Sequence, residues 1–174
     1  MKKIISTILL LSVIAVMFAS CNNGGADITL PPEESSSPVA ENSVYSFVYK
    51  NTVITPHAKM SEVLNGIGDP ASYEESPSCL YQGLDKDYTY PGFKLRTYPE
   101  NEVDYVLNVC FTDDSVSTPE GIMLGSTRSD VINAYGSSFT EQNGNVVYVK
   151  GNTELRFRFD GDSVSAIEYW AIEQ

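Results

Sequence analysis

The sequence predicts an α+β protein built as two tandem repeats of a short helical region plus an antiparallel β-meander, giving a sheet with one face covered by helices and one open face. Three observations predict it. Residues 59–68, Lys-Met-Ser-Glu-Val-Leu-Asn-Gly-Ile-Gly, align with residues 127–136, Thr-Arg-Ser-Asp-Val-Ile-Asn-Ala-Tyr-Gly, at a constant shift of 68 positions. Each copy has apolar residues at helical spacing. After each copy the period drops to two, as in Phe93-Lys94-Leu95-Arg96-Thr97 and Leu155-Arg156-Phe157-Arg158-Phe159, the pattern of half-buried strands.

The chain of 174 residues opens with Lys2 and Lys3, an apolar run from Ile4 to Phe18, then small Ala19 and Ser20 before Cys21. That order describes an export signal over residues 1–20. The run falls short of the roughly 20 residues that span a bilayer. Phe18-Ala19-Ser20-Cys21 resembles the lipobox of bacterial lipoproteins, with Phe where Leu is usual, which implies acylation of Cys21 and a lipid anchor. The alternative is a plain secretory signal with a cysteine at the cut. Residues 21–43, rich in Gly, Pro and Ser and poor in large apolar side chains, read as a lipidated cysteine followed by a flexible tether.

Residues 44–115 and 116–174 are the two expected αβ repeats, enough chain for one domain with a real core or for two very small ones. Val44 to Tyr49 is a lead-in strand. In the first helix Met60, Val63, Leu64 and Ile67 make the stripe; in the second Thr127 and Asp130 form a capping box, and Val131, Ile132 and Tyr135 make the stripe. Gly68 and Gly136 are the expected left-handed stops. Val103, Tyr105, Leu107, Val109 and Phe111 alternate as a strand, and Pro91-Gly92, 99–101, 150–152 and 160–162 are turns, so each half reads as a helix and about three strands.

A helix of the form Ser-acidic-Val-Leu/Ile-Asn-x-x-Gly ahead of a meander, met twice, resembles the superfamily of the β-lactamase inhibitor protein and the small outer-membrane-assembly lipoproteins. Ser78-Cys79, Gly83-Leu84-Asp85-Lys86, Tyr88, Tyr90, Thr97-Tyr98-Pro99 and Thr118-Pro119-Glu120-Gly121 are similar still more closely to lipoproteins of Gram-positive anaerobes. The likeness covers about residues 50–170. It implies a sheet with one open face, which the inhibitor proteins use to grip a partner, and it implies no activity.

The net charge is −12, and loss of Lys2 and Lys3 leaves 9 cationic against 23 acidic side chains, or −14. Such a surface excludes nucleic acid as a partner and disfavours anionic headgroups. Two cysteines remain besides Cys21, and a Cys79–Cys110 disulfide and two free thiols are both compatible with an extracytoplasmic compartment.

Catalytic constellations are sparse. His57 is the one histidine, in a loop before the first helix, and at the 68-residue shift Gly125 stands in its place. A Ser/His/Asp or Cys/His arrangement would rest on it alone, and the plainer reading is a surface loop histidine. His57, Cys79 and Cys110 lack zinc spacing, and the pairs Asp85/Asp87, Asp113/Asp114 and Asp160/Asp162 do not continue into a calcium loop, so no metal and no cofactor is expected. Overlaying the strand motifs puts Lys94, Arg96, Arg156 and Arg158 on one sheet face beside Tyr98, a residue mixture enriched at binding surfaces. The competing explanation is cross-strand pairing with Asp and Glu.

These observations predict a membrane-anchored lipoprotein on the extracytoplasmic face of the cell membrane, not an enzyme, acting as a binding module through Lys94, Arg96, Tyr98, Arg156 and Arg158. Its expected partner is an extracytoplasmic protein or a cell-wall polymer. The alternative is an envelope-structural or assembly scaffold, and the third reading a cell-wall hydrolase with a carboxylate pair.

Overall fold

Residues 44–172 are described by the computed structural model; the export signal, Cys21 and the 21–43 tether lie outside them. The described residues begin with a hairpin of Phe47–Tyr49 (β1) and Thr52–Ile54 (β2), which pair with each other. Lys50 and Asn51 both have positive φ, 49° and 64°, the conformation of a two-residue turn whose twist matches its strands. Helix α1 (Met60–Ile67) follows, then β3 (Ser72–Pro77), β4 (Leu84–Tyr90), β5 (Phe93–Glu100) and β6 (Val103–Phe111). A long connection leads to helix α2 (Arg128–Tyr135) and to β7 (Thr140–Gln142), β8 (Asn145–Lys150), β9 (Thr153–Asp160) and β10 (Ser163–Ala171).

Strands β3 to β10 form one antiparallel sheet in the order β3-β4-β5-β6-β10-β9-β8-β7. The last strand of each meander therefore meets its counterpart in the middle. Along β5, Phe93 and Leu95 are fully buried while Lys94 and Arg96 are exposed, and β9 repeats this with Leu155 and Phe157 buried and Arg158 exposed. Alternation sends one set of side chains into a single core with Val109, Phe111, Ile167 and Tyr169.

The fold class departs from the expected α+β. About half of the described residues are strand and 12% helix, with two helices of eight residues each among them, so the folded part is mostly β and is not a pair of tandem helical repeats. The helical stripes are too short to build a layer. Each ends after two turns at a glycine, Gly68 (φ 80°, ψ −170°) or Gly136 (φ 82°, ψ −173°), in a conformation essentially restricted to glycine. Helix α1 buries Met60, Val63 and Ile67, whereas α2 buries only Val131.

The β1–β2 hairpin supplies much of the cover that helices were expected to give. Phe47 is 1% exposed, and its ring meets Phe93 and Phe111 edge-on, each with centroids 5.0 Å away, and tilts onto Tyr169 at 6.3 Å. Two buried tyrosines tie the helix ends to the sheet: Tyr90 donates its hydroxyl to the Gly68 carbonyl at 2.8 Å and Tyr148 to that of Gly136 at 2.7 Å. The expected capping box on α2 is present, Thr127 and Asp130 each bonding the other's backbone N–H.

The central seam is short. β6 and β10 pair only from Cys110↔Glu168 to Asn108↔Trp170. Beyond Asn108 the register between β5 and β6 steps from Arg96↔Asn108 to Thr97↔Val106, leaving Leu107 as the extra residue of a bulge. There residues 57–59 take the place of β10 beside β6: His57 N–H donates to Val106 O at 2.8 Å and Val106 N–H to Ala58 O at 2.9 Å. At the other end of the seam Gly125 N–H donates to Val164 O and Val164 N–H to Ser126 O, at 2.9 and 2.8 Å.

Candidate functional site

No element among the described residues covers the sheet face opposite the core. Register places Lys94 and Arg96 of β5 with Asn108 and Cys110 of β6, Glu168 and Trp170 of β10, and Glu154, Arg156 and Arg158 of β9 on this face. The four cations expected to share a face do share it. They do not form a bare cationic patch.

Arg96 grips Asp87 of β4 through two parallel bonds of 2.7 Å, from Nε and Nη2. Arg156 bonds Glu154 through Nε at 2.8 Å and Nη2 at 2.5 Å, and its guanidinium lies 4.8 Å from the centre of the Trp170 ring. Arg158 approaches Glu168 at 3.9 Å, and Trp170 donates Nε1–H to the same carboxylate at 2.8 Å. Partly exposed pairs of this kind each contribute about 0–1 kcal/mol, and an anionic ligand would have to displace them. Lys94 is exposed, with no carboxylate at ion-pair distance among the described residues.

Cys110 sits mid-face as the cross-strand neighbour of Lys94 and Glu168. Burial raises its thiol pKa above the ordinary value, Glu168 raises it further, and Arg158 and Lys94 pull the other way. Cys79 is exposed in the β3–β4 loop, and both cysteines are free thiols. No group of three His, Cys, Asp or Glu among the described residues is arranged to hold a metal ion.

Tyr98, expected beside the cations, follows Lys94 and Arg96 at the same period of two along β5, but it is 8% exposed and packs in an aromatic cluster. Its ring is flanked by Tyr81 at 4.9 Å and Tyr105 at 5.7 Å. His57 is within 2.9 Å of the Tyr98 hydroxyl through Nδ1 and 3.2 Å of the Asn152 carbonyl through Nε2. A carbonyl only accepts, so Nε2 carries the proton and, in the neutral ring, Nδ1 accepts from the tyrosine. The imidazole thus spans the opening where β6 and β10 part. Beside it lies a cavity of about 280 Å³ lined by His57, Tyr81, Tyr98, Glu100, Leu107 and Ala171.

Sequence reasoning left His57 as a surface loop residue and did not find this pocket. A signal was present. Residue 125, at the 68-residue shift, is glycine with φ 89°, and His57 has φ 68°, so a histidine occupies a backbone conformation that favours glycine.

No family model and no curated protein matches the chain. A solved structure described as an extracellular protein containing an SCP domain from Bacillus anthracis str. Ames is similar to it, with a TM-score of 0.50 at 12% identity, over 67% of this chain. The chain spans 44% of that structure, so the likeness concerns the fold of part of it. Among the described residues no helix is long and apolar enough to cross a membrane.

Proposed function

We propose that the chain is a lipoprotein anchored through Cys21 on the extracytoplasmic side of the membrane, and that it works as a non-enzymatic interaction module through its uncovered sheet face. The observation that carries this reading is that face itself, where Arg156 stacks on Trp170 and Arg96 and Arg158 lie close by among Asp87, Glu154 and Glu168. Arg and Trp are the residue types that dominate binding energy at interfaces. With cations and carboxylates interleaved, the face suits a partner of mixed charge, an extracytoplasmic protein before a uniformly anionic polymer. The description of the similar structure as extracellular supports the location.

The test is capture from the native envelope by the full chain, beside a Lys94→Glu/Arg158→Glu variant. Both side chains are exposed, so unchanged circular dichroism is expected for the variant. A partner held by the wild type and lost by the variant places the interface on this face; equal capture removes the face from the proposal. Cys21→Ser addresses the anchor: the chain is expected to leave the membrane fraction, and retention would refute acylation at Cys21.

A further inference from the structure

We infer that the seam pocket beside His57 is a binding site for an organic cation on an apolar stem, of the alkylguanidinium or alkylammonium class. The site lies beyond Arg96 along β5, is lined by none of the four cations of the strand face, and does not depend on the lipid anchor. Its volume of about 280 Å³ is at the small end for ligand sites and suits one long side chain or a molecule of that size.

The lining decides the chemistry. Both ring nitrogens of His57 are spent, one on the Tyr98 hydroxyl and one on the Asn152 carbonyl. The pocket therefore has little donor capacity for an anion. Glu100 is the charged residue in the lining, and it is exposed. Leu107, present in the wall because of the β6 bulge, joins Ala171 in an apolar surface. Half-buried Tyr81 adds an aromatic ring. A ligand that brings its own donors and positive charge satisfies the carboxylate, lays its stem on Leu107 and Ala171, and stacks a cationic head on tyrosine. The net charge of −12 draws such ligands toward the protein.

A second observation points to a built site. His57 adopts φ 68°, at a cost of about 1–2 kcal/mol for a non-glycine residue, while the counterpart position, with the same backbone hydrogen-bonding to the sheet, is Gly125. The chain keeps a histidine in this strained backbone conformation at the one end of the seam where its ring bonds Tyr98 beside a cavity.

The experiment is a ligand-observed NMR titration of the full chain in a non-ionic detergent with n-butylguanidinium and n-butylammonium, against the neutral isostere n-butylurea and methyl glucoside. Butylguanidinium is expected to bind with a Kd of about 1–10 mM, as a few weak contacts allow, and butylurea at least about tenfold more weakly. Glu100→Gln and Tyr81→Leu are each expected to weaken butylguanidinium about fivefold, with Tyr81→Phe retaining it. Equal binding of butylurea, binding of the glucoside alone, no binding of either cation, or undiminished binding in Glu100→Gln each overturns the site. Tighter binding of a blocked arginine tripeptide than of butylguanidinium assigns the occupant to a peptide side chain, and equal binding assigns it to a free cation. None of these variants alters Lys94 or Arg158, so the pocket can fail while the strand face stands.

Discussion

Replacing Phe47 with alanine tests whether a three-residue strand outside the main sheet holds the core shut. The ring is 1% exposed and meets Phe93, Phe111 and Tyr169, three residues of the sheet's buried face. Truncating a buried phenylalanine to alanine costs about 3–5 kcal/mol through lost transfer energy and the cavity left behind. For the 129 residues from 44 to 172, an unfolding entropy of about 2.1 cal/mol/K per residue gives about 0.27 kcal/mol/K, so a loss of about 4 kcal/mol lowers Tm by about 15 °C. Thermal melts followed by fluorescence of Trp170, the single tryptophan, read this directly. The neighbouring Val48→Ala is the control: Val48 is 44% exposed on the outer side of the hairpin, and its loss is expected to stay within about 0.5 kcal/mol. If Phe47→Ala melts within 3 °C of the wild type, the hairpin is not the lid of the core and the reasoning fails.

Gly136→Ala isolates backbone strain, because a Cβ there meets nothing within 4 Å while φ is 82°; a loss of about 1–3 kcal/mol in urea unfolding is expected, against about 1 kcal/mol for removing the helix cap in Thr127→Ala. At alkaline pH, burial foremost, with Tyr88, Asp69 and Tyr49 adding, pushes the Tyr90 hydroxyl up to about 12. Its unfolded counterpart ionises near 10, so its contribution is complete below pH 10 and is lost as pH rises through 12, visible as a falling Tm across that window. Asp113 and Asp130, held below the ordinary 3.8 by bonds to Ser115 and Thr127, act in the opposite direction: their contribution is present at neutral pH and disappears as acid protonates them. Iodoacetamide at pH 8 is expected to label exposed Cys79 and spare Cys110, whose thiol burial keeps protonated; peptide mass mapping that finds both equally labelled would contradict the placement of Cys110.

What the sequence made legible follows from what each segment buries. Strands β5, β6 and β9 alternate because one side of each faces the core, and the two helical segments show their stripe because they sit on it. Strand β3, Ser-Tyr-Glu-Glu-Ser-Pro, is exposed at every position, and β7 likewise, so neither edge strand carries a period to read. Glu74, Glu75 and Pro77 are residues that keep an edge from pairing with another chain. The weight given to helices came from periodicity, which says that a turn is amphipathic and not how much of a layer it builds. The cations were placed on the right face from alternation, but their partners Asp87, Glu154 and Glu168 come mostly from neighbouring strands, and strand order is not written in alternation. Tyr98 went to the seam because residues 57–59 replace β10 there, a long-range substitution that no local pattern announces.

The narrowness of that seam bears on how the molecule is made. Every other pairing in the large sheet joins strands that follow one another along the chain, whereas Cys110 and Glu168, which open the seam, stand 58 positions apart. Closing a loop of that length costs about 2 kcal/mol more entropy than closing a tight hairpin, with three residue pairs to offset it. The two meanders can therefore assemble early from local contacts, and the slow event is their docking, with Phe47 seating across β5, β6 and β10 as they join. Substitutions inside a hairpin, whose contacts are already made when docking begins, would then slow refolding and leave unfolding little changed, while those at Val109, Tyr169 or Phe47 would divide between the two rates.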